Sequence, residues 1–103
     1  MYDKKLLNLI SLCKKAGKLV AGEENCEKAI QKGFAEIVFL ATDASDNTKK
    51  KFNNKAAYYD VPIYTLFTKA VLGNSIGMPN RATVVITDEG FAKKILELVT
   101  SNS

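Results

Sequence analysis

Leu6, Leu9, Ile10, Cys13 and Ala16 recur at intervals of three and four, so one apolar stripe runs along the first segment of the chain. Lys14 and Lys15 fall in the last turn of that pattern and Gly17 closes it, which predicts a first helix with cations at its negative end. Lys18-Leu19-Val20-Ala21 reads as a short extended link or strand. Gly22 then opens a second helix, with Glu23 and Glu24 in its first turn, a stripe of Cys26, Ala29 and Ile30, and Gly33 as its stop. The periodicity changes at Ile37-Val38-Phe39-Leu40-Ala41, an apolar run without alternation, as expected of a strand covered on both faces.

Ser45 is a suitable N-cap for a third helix, with Asp46 in its first turn. Phe52, Ala56 and Tyr59 are spaced to form its inner face, and Lys49, Lys50, Lys51 and Lys55 spread over the rest. Val61 to Leu66 reads as a strand with Pro62 near its start, where a missing N–H costs least. Thr68 caps a short fourth helix through Val71 and Leu72, broken by Gly73-Asn74-Ser75-Ile76-Gly77. Met78 to Arg81 is a loop and Thr83 to Thr87 a strand. Asp88 caps a last helix carrying Phe91, Ile95, Leu98 and Val99, with a frayed tail from Thr100 to Ser103. Strands alternating with helices predict one α/β domain over residues 1–103, a sheet covered by helices on both faces.

Charge changes this picture more than overall composition does. Residues 1–55 hold eleven lysines against seven acids, whereas residues 56–103 hold four bases against four acids, so the whole excess of +4 lies in the first half. A one-sided basic surface suits a polyanion, because each neutralised phosphate releases counterions. Arg81 is the one arginine among fifteen bases. Lysine serves phosphate as a point charge, while arginine is the usual reader of guanine in duplex DNA, so no DNA specificity is expected. Cys13 and Cys26 fall in apolar stripes and read as buried thiols of a reducing compartment. Met1 leads into Tyr2-Asp3-Lys4-Lys5 without a signal-peptide pattern, and no apolar run nears the roughly 18 residues of a membrane span. A cytoplasmic location is expected.

The chain has no histidine, which removes the commonest general base, the Ser-His and Cys-His pairs, and most zinc and copper sites. No phosphate-cradling glycine loop is present. The acid pairs Glu23-Glu24, Asp43/Asp46 and Asp88-Glu89 sit at helix starts, where carboxylates complement the dipole. No catalysis, metal or cofactor is expected. Three segments remain as binding candidates. At the start of the second helix, Glu24, Lys28 and Lys32 form one polar ridge at spacing four, beside free backbone N–H groups. Thr48-Lys49-Lys50-Lys51 with Lys55 offers positive charge, or simply a solvated helix face. The loop from Gly73 to Arg81 brings Ile76, Met78 and Pro79 near the lone arginine, an apolar tip able to hold an unstacked base unless Ile76 belongs to the core.

Gly22 followed by Lys28-Ala29-Ile30-Gln31-Lys32-Gly33-Phe34-Ala35 resembles the signature G-x-x-x-x-x-K-A-x-x-x-G-x-A. Ala41 to Asp43, Val61-Pro62 and Lys69-x-x-Leu72-Gly73-x-x-x-Gly77 continue the likeness in order. This is the pattern of the large-subunit ribosomal protein seven-Ae superfamily, whose members bind kink-turns in RNA. Asp43-Ala44-Ser45-x-Asn47-Thr48-x-Lys50-Lys51, Tyr58-Tyr59 and Thr87-Asp88-x-Gly90-Phe91-Ala92-Lys93 look like its bacterial YlxQ-like branch.

The resemblance implies a three-layer α-β-α sandwich with a small mixed sheet. It also implies RNA contact by the start of the second helix and by the loop before the last strand. Carried onto this chain, Gly22, Glu24 and Asn25 meet base edges, Lys28 and Lys32 meet phosphates, and Ile76, Gly77, Met78 and Pro79 pack on an extruded base beside Arg81. Where kink-turn readers carry Asn-Glu, this chain carries Glu24-Asn25, which rearranges the donors and acceptors facing sheared G·A pairs. The expected protein is a monomeric RNA binder of the ribosome or another ribonucleoprotein. The competing expectation is a translation-associated adaptor of the same fold, whose lysines meet an acidic protein.

Overall fold

The computed structural model describes residues 2–101, with side chains from residue 4 to residue 100. Nine elements follow one another in this span: α1 (Tyr2–Lys15), β1 (Leu19–Ala21), α2 (Glu23–Gln31), β2 (Ile37–Leu40), α3 (Asp46–Tyr58), β3 (Ile63–Thr65), α4 (Lys69–Ser75), β4 (Thr83–Ile86) and α5 (Glu89–Ser101). Met1, Asn102 and Ser103 lie outside the described residues.

The sheet order is β1-β4-β2-β3, with β4 antiparallel to both β1 and β2 and with β2 and β3 parallel. It is the mixed sheet expected. Strands β1, β2 and β3 therefore all run one way. The crossovers β1-α2-β2 and β2-α3-β3 step in the same direction along the sheet, and right-handed connections then put α2 and α3 on one face. Helix α1 packs against α4 and α5 in the other helical layer. Every residue of the inner strands β2 and β4 is buried, which explains why both read as apolar runs without alternation. Leu6, Ile10 and Cys13 of α1, Cys26 and Ile30 of α2, Phe52 of α3, Leu72 of α4 and Ile95 of α5 close over the sheet from its two sides.

The capping signals act as read. Ser45 Oγ accepts from Thr48 N at 3.2 Å, Thr68 Oγ1 from Val71 N at 3.3 Å and Asp88 Oδ2 from Phe91 N at 2.8 Å. Four expectations need correction. Tyr59 is the C-cap of α3 and is 41% exposed, and the buried face is Thr48, Phe52 and Ala56, because the helical geometry that would carry Tyr59 onto that face ends at Tyr58. Gly73 does not break α4 but lies within it, and it is glycine because the Pro79 carbonyl occupies the place a Cβ would take. Strand β3 is shorter than expected, spanning only Ile63–Thr65. Thr100 is helical, not frayed, and its Oγ1 donates to Leu96 O at 2.7 Å.

Candidate nucleic-acid interface

Because β1, β2 and β3 run together and β4 runs against them, four connections share one edge of the sheet. These are the starts of α2, α3 and α4 and the loop that leads into β4. Backbone bonds fasten them to each other: Gly22 N donates to Thr83 O at 3.1 Å, Ala41 N to Ala82 O at 2.8 Å and Thr42 N to Phe67 O at 2.7 Å. Asp43 Oδ1 accepts from Lys69 N at 2.8 Å, tying the approach to α3 onto the first turn of α4. The two segments singled out in the sequence, the α2 start and the 76–81 loop, are thus brought together.

Gly22 adopts φ 92° and ψ 148°, a region that L side chains rarely enter. No atom lies within 4 Å of where its Cβ would stand, so the backbone conformation, not crowding, calls for glycine. No side chain caps α2. The first helical N–H to find a carbonyl is that of Cys26, at 3.0 Å from Gly22 O, so the N–H groups of Glu23, Glu24 and Asn25 have no acceptor within the helix.

Glu24 and Lys28 form an ion pair at 3.3 Å, with Lys28 59% and Glu24 83% exposed. Asn25 Nδ2 donates to Ala21 O at 3.3 Å, and its amide oxygen is left for other donors. Lys32 is exposed at the C-terminal end of the same ridge. The lysines of α3 divide into two groups. Lys51 reaches Glu23 at 3.2 Å and Glu27 at 3.5 Å, and Lys55 reaches Glu27 at 3.3 Å. Thr48 Oγ1 also donates to Glu23 at 3.2 Å. Hydrogen bonding from Lys55 holds the Glu27 carboxyl below its ordinary range, and hydrogen bonding to Glu23 holds the Lys51 ammonium above its own. These two lysines fasten α2 to α3, while Lys49 and Lys50 have no carboxylate partner among the described residues. Sequence spacing could not assign those roles, because each partner lies more than twenty residues away.

In the loop, Gly77 has φ 70° and Met78 N donates to Gly73 O at 2.9 Å. Ile76 is only 6% exposed and belongs to the core, so it is unavailable to a base; the apolar tip consists of half-buried Met78 and exposed Pro79. Arg81 curls back on its own loop, with Nη1 donating to Asn80 O at 2.9 Å and its backbone N to Lys69 O at 3.1 Å. It braces the turn and leaves further guanidinium donors for a ligand. The sequence marks Gly73 as the start of this segment, but the reason for a glycine there, the close approach of Pro79, exists only in three dimensions.

Other chemistry is sparse. Burial pushes the Cys13 thiol up to about 11 and the Cys26 thiol up to about 12. Among the described residues no group of acids and cysteines could hold a metal ion, and no helix is long and apolar enough to cross a membrane.

A profile of the ribosomal protein L7Ae/L30e/S12e/Gadd45 family matches residues 4–97. The RNA-binding protein YlxQ of Enterococcus faecium is 50% identical over 95 residues, 92% of this chain and 91% of that protein. The RNA-binding protein YlxQ of Bacillus subtilis (strain 168) is 44% identical over 91 residues, 88% of this chain and 91% of that protein. Among solved structures, the 15.5kD RNA binding protein of Giardia lamblia superposes with a TM-score of 0.82 at 21% identity, covering 97% of this chain and 86% of that one; it shares the fold. These relatives are named for binding RNA and not for a reaction, in line with the expectation of a chain without catalysis.

Proposed function

The chain belongs to the ribosomal protein L7Ae/L30e/S12e/Gadd45 family, and from that membership we propose that it binds structured RNA with a preference for kinked helices, as a monomer in the cytoplasm. The observation that carries the reading is the Gly22 N to Thr83 O bond, which sets the open end of α2 beside the loop ending at β4. Free N–H groups, an ammonium and an apolar tip then face one ligand. A helix N-terminus attracts phosphate and acceptor edges alike. Lys28 neutralises phosphate, Met78 and Pro79 receive an unstacked base, and the acceptors of Glu24 and Asn25 meet the amino edges of G·A pairs.

Glu24 sets the strength of the preference. Its carboxylate stands close to where phosphates must come, and Lys28 offsets it from 3.3 Å away. When Lys28 turns to a phosphate, Glu24 must find a base amino group or lose its partner. Kinked RNA, which exposes such groups, is therefore favoured over straight duplex.

The test is a paired titration of a kink-turn RNA and the same RNA with its G·A pairs made Watson–Crick. Wild type is expected to prefer the kinked form, and exchanging Glu24→Asn with Asn25→Glu to sharpen that preference. Equal binding of both RNAs by both proteins would remove the α2 start as the reading head. No binding to either RNA would favour an adaptor for an acidic protein.

A further inference from the structure

Phe34, Tyr58 and Tyr59 are 60%, 81% and 41% exposed, and together with Leu12 and Val71 they are the large apolar side chains that the described surface exposes. The three aromatics share one place in the fold. Phe34 follows α2 and leads into β2, whereas Tyr58 and Tyr59 end α3 and lead into β3. Since β2 and β3 are adjacent and parallel, with Val38 opposite Ile63 and Val38 N donating to Pro62 O at 2.9 Å, all three stand at the sheet edge opposite the candidate interface. Leu12 and Val71 belong to α1 and α4, in the other helical layer.

The two tyrosine rings meet edge to face, with centroids 4.9 Å apart and planes at 76°. Two exposed ridges run toward these rings from the candidate interface: Glu24, Lys28 and Lys32 on α2, and Lys50 and Asn54 on α3, which reaches Tyr58 at the same spacing of four. From Lys50 to Tyr58 the helix advances about 12 Å, room for roughly three or four stacked nucleotides.

We propose that Tyr58 and Tyr59, with Phe34 beside them, form a second RNA contact that stacks unpaired bases of a single strand leaving the structured element held at the α2 start. The proposal rests on the RNA-binding reading above and extends it to a different edge of the molecule. Ring faces stack on any base, and lysines alongside track the phosphates, the combination that single-strand binders use. A protein partner fits less well. The patch contains no aliphatic anchor, and it continues the ridges that begin at the RNA-facing edge, with exposed Lys32 two residues before Phe34 and Lys50 two turns up α3 from Tyr58. Asp60, exposed after Tyr59, is the one acid directly beside the tyrosine pair in the chain.

Titration of a blunt kink-turn RNA against the same RNA carrying a tail of about six adenines, on either strand in separate molecules, tests this. The tail on one strand is expected to tighten binding by roughly tenfold, within the range for one or two stacked bases. Tyr58→Ala with Tyr59→Ala should abolish that gain while leaving blunt-RNA affinity unchanged, and Tyr58→Phe with Tyr59→Phe should keep it. Thermal melting of each variant checks folding, and Tyr58→Ala alone, at the more exposed ring of the pair, gives a second reading. If tailed and blunt RNAs bind wild type equally, or the alanine variants retain the gain, the aromatic contact is wrong although RNA binding stands. If wild type binds neither RNA, both the proposal and the reading beneath it fall.

Discussion

Gly22 holds a backbone conformation that costs an L residue roughly 1–3 kcal/mol, although nothing crowds the space where a side chain would stand. Gly22→Ala should therefore lower stability by about that amount in a denaturant titration, despite changing no packing. Lys28→Ala should do the opposite: its exposed side chain leaves folding within about 0.5 kcal/mol, while RNA affinity falls by roughly 1 kcal/mol or more. Phe39→Ala, at a fully buried central position, should cost roughly 3–5 kcal/mol of folding free energy. The two thiols give a pH signature. Burial raises Cys13 to about 11 and Cys26 to about 12 from the ordinary 9.0. The unfolded chain releases these protons first, so stability that is fully present below pH 9 is lost as pH rises toward 11 and 12. Wild type should lose on the order of 1 kcal/mol per thiol more than a Cys13→Ala, Cys26→Ala protein between pH 8 and 10, measured by urea midpoints.

At the scale of elements, α2 and α3 are joined by a polar ladder from Thr48 and Lys51 to Glu23 and from Lys51 and Lys55 to Glu27. Partly exposed pairs of this kind contribute roughly 0.2–1 kcal/mol each. Lys51→Ala should thus lower the thermal midpoint slightly and leave RNA affinity nearly unchanged, in contrast to Lys28→Ala, although both remove one positive charge. The depressed Glu27 carboxyl contributes stability that is present above the ordinary carboxylate range and lost on acidification, and Glu27→Gln should flatten that acid loss. Elements with strong local signals were legible in the sequence: the caps Ser45, Thr68 and Asp88 and the apolar runs of β2 and β4 depend on neighbours in the chain. What local pattern could not supply was tertiary. Tyr59 falls on the inner-face spacing yet lies past the last helical residue of α3, Gly73 reads as a breaker until Pro79 is seen against it, and Ile76 sits in a loop-like segment but points inward. The candidate site was legible as two segments; the Gly22–Thr83 bond that joins them, and the Asp43–Lys69 bond between the approach to α3 and the start of α4, were not.

For the molecule as a whole, the excess of +4 lies in the first half of the chain, but not all of those lysines are available to a ligand. Lys51 and Lys55 are engaged between the helices, whereas Lys32 and Lys50 are exposed and Lys28 shares its charge with Glu24. The logarithm of RNA affinity should fall linearly with the logarithm of salt, with a slope matching roughly three to six phosphates. A flat dependence on protein-free RNA would remove the phosphate contacts. The shared edge of the sheet also sets a timescale. The Gly22 amide closes the β1–β4 ladder at Thr83, so separating the α2 start from its loop means peeling the end of the edge strand β1 from β4. Amide exchange at Gly22 should accordingly be slower than at Glu24 and Asn25, whose amides exchange rapidly until RNA covers them. The recognition surface is then assembled before any ligand arrives. On the proposed reading, the ordering that accompanies binding then falls more on the RNA than on the protein.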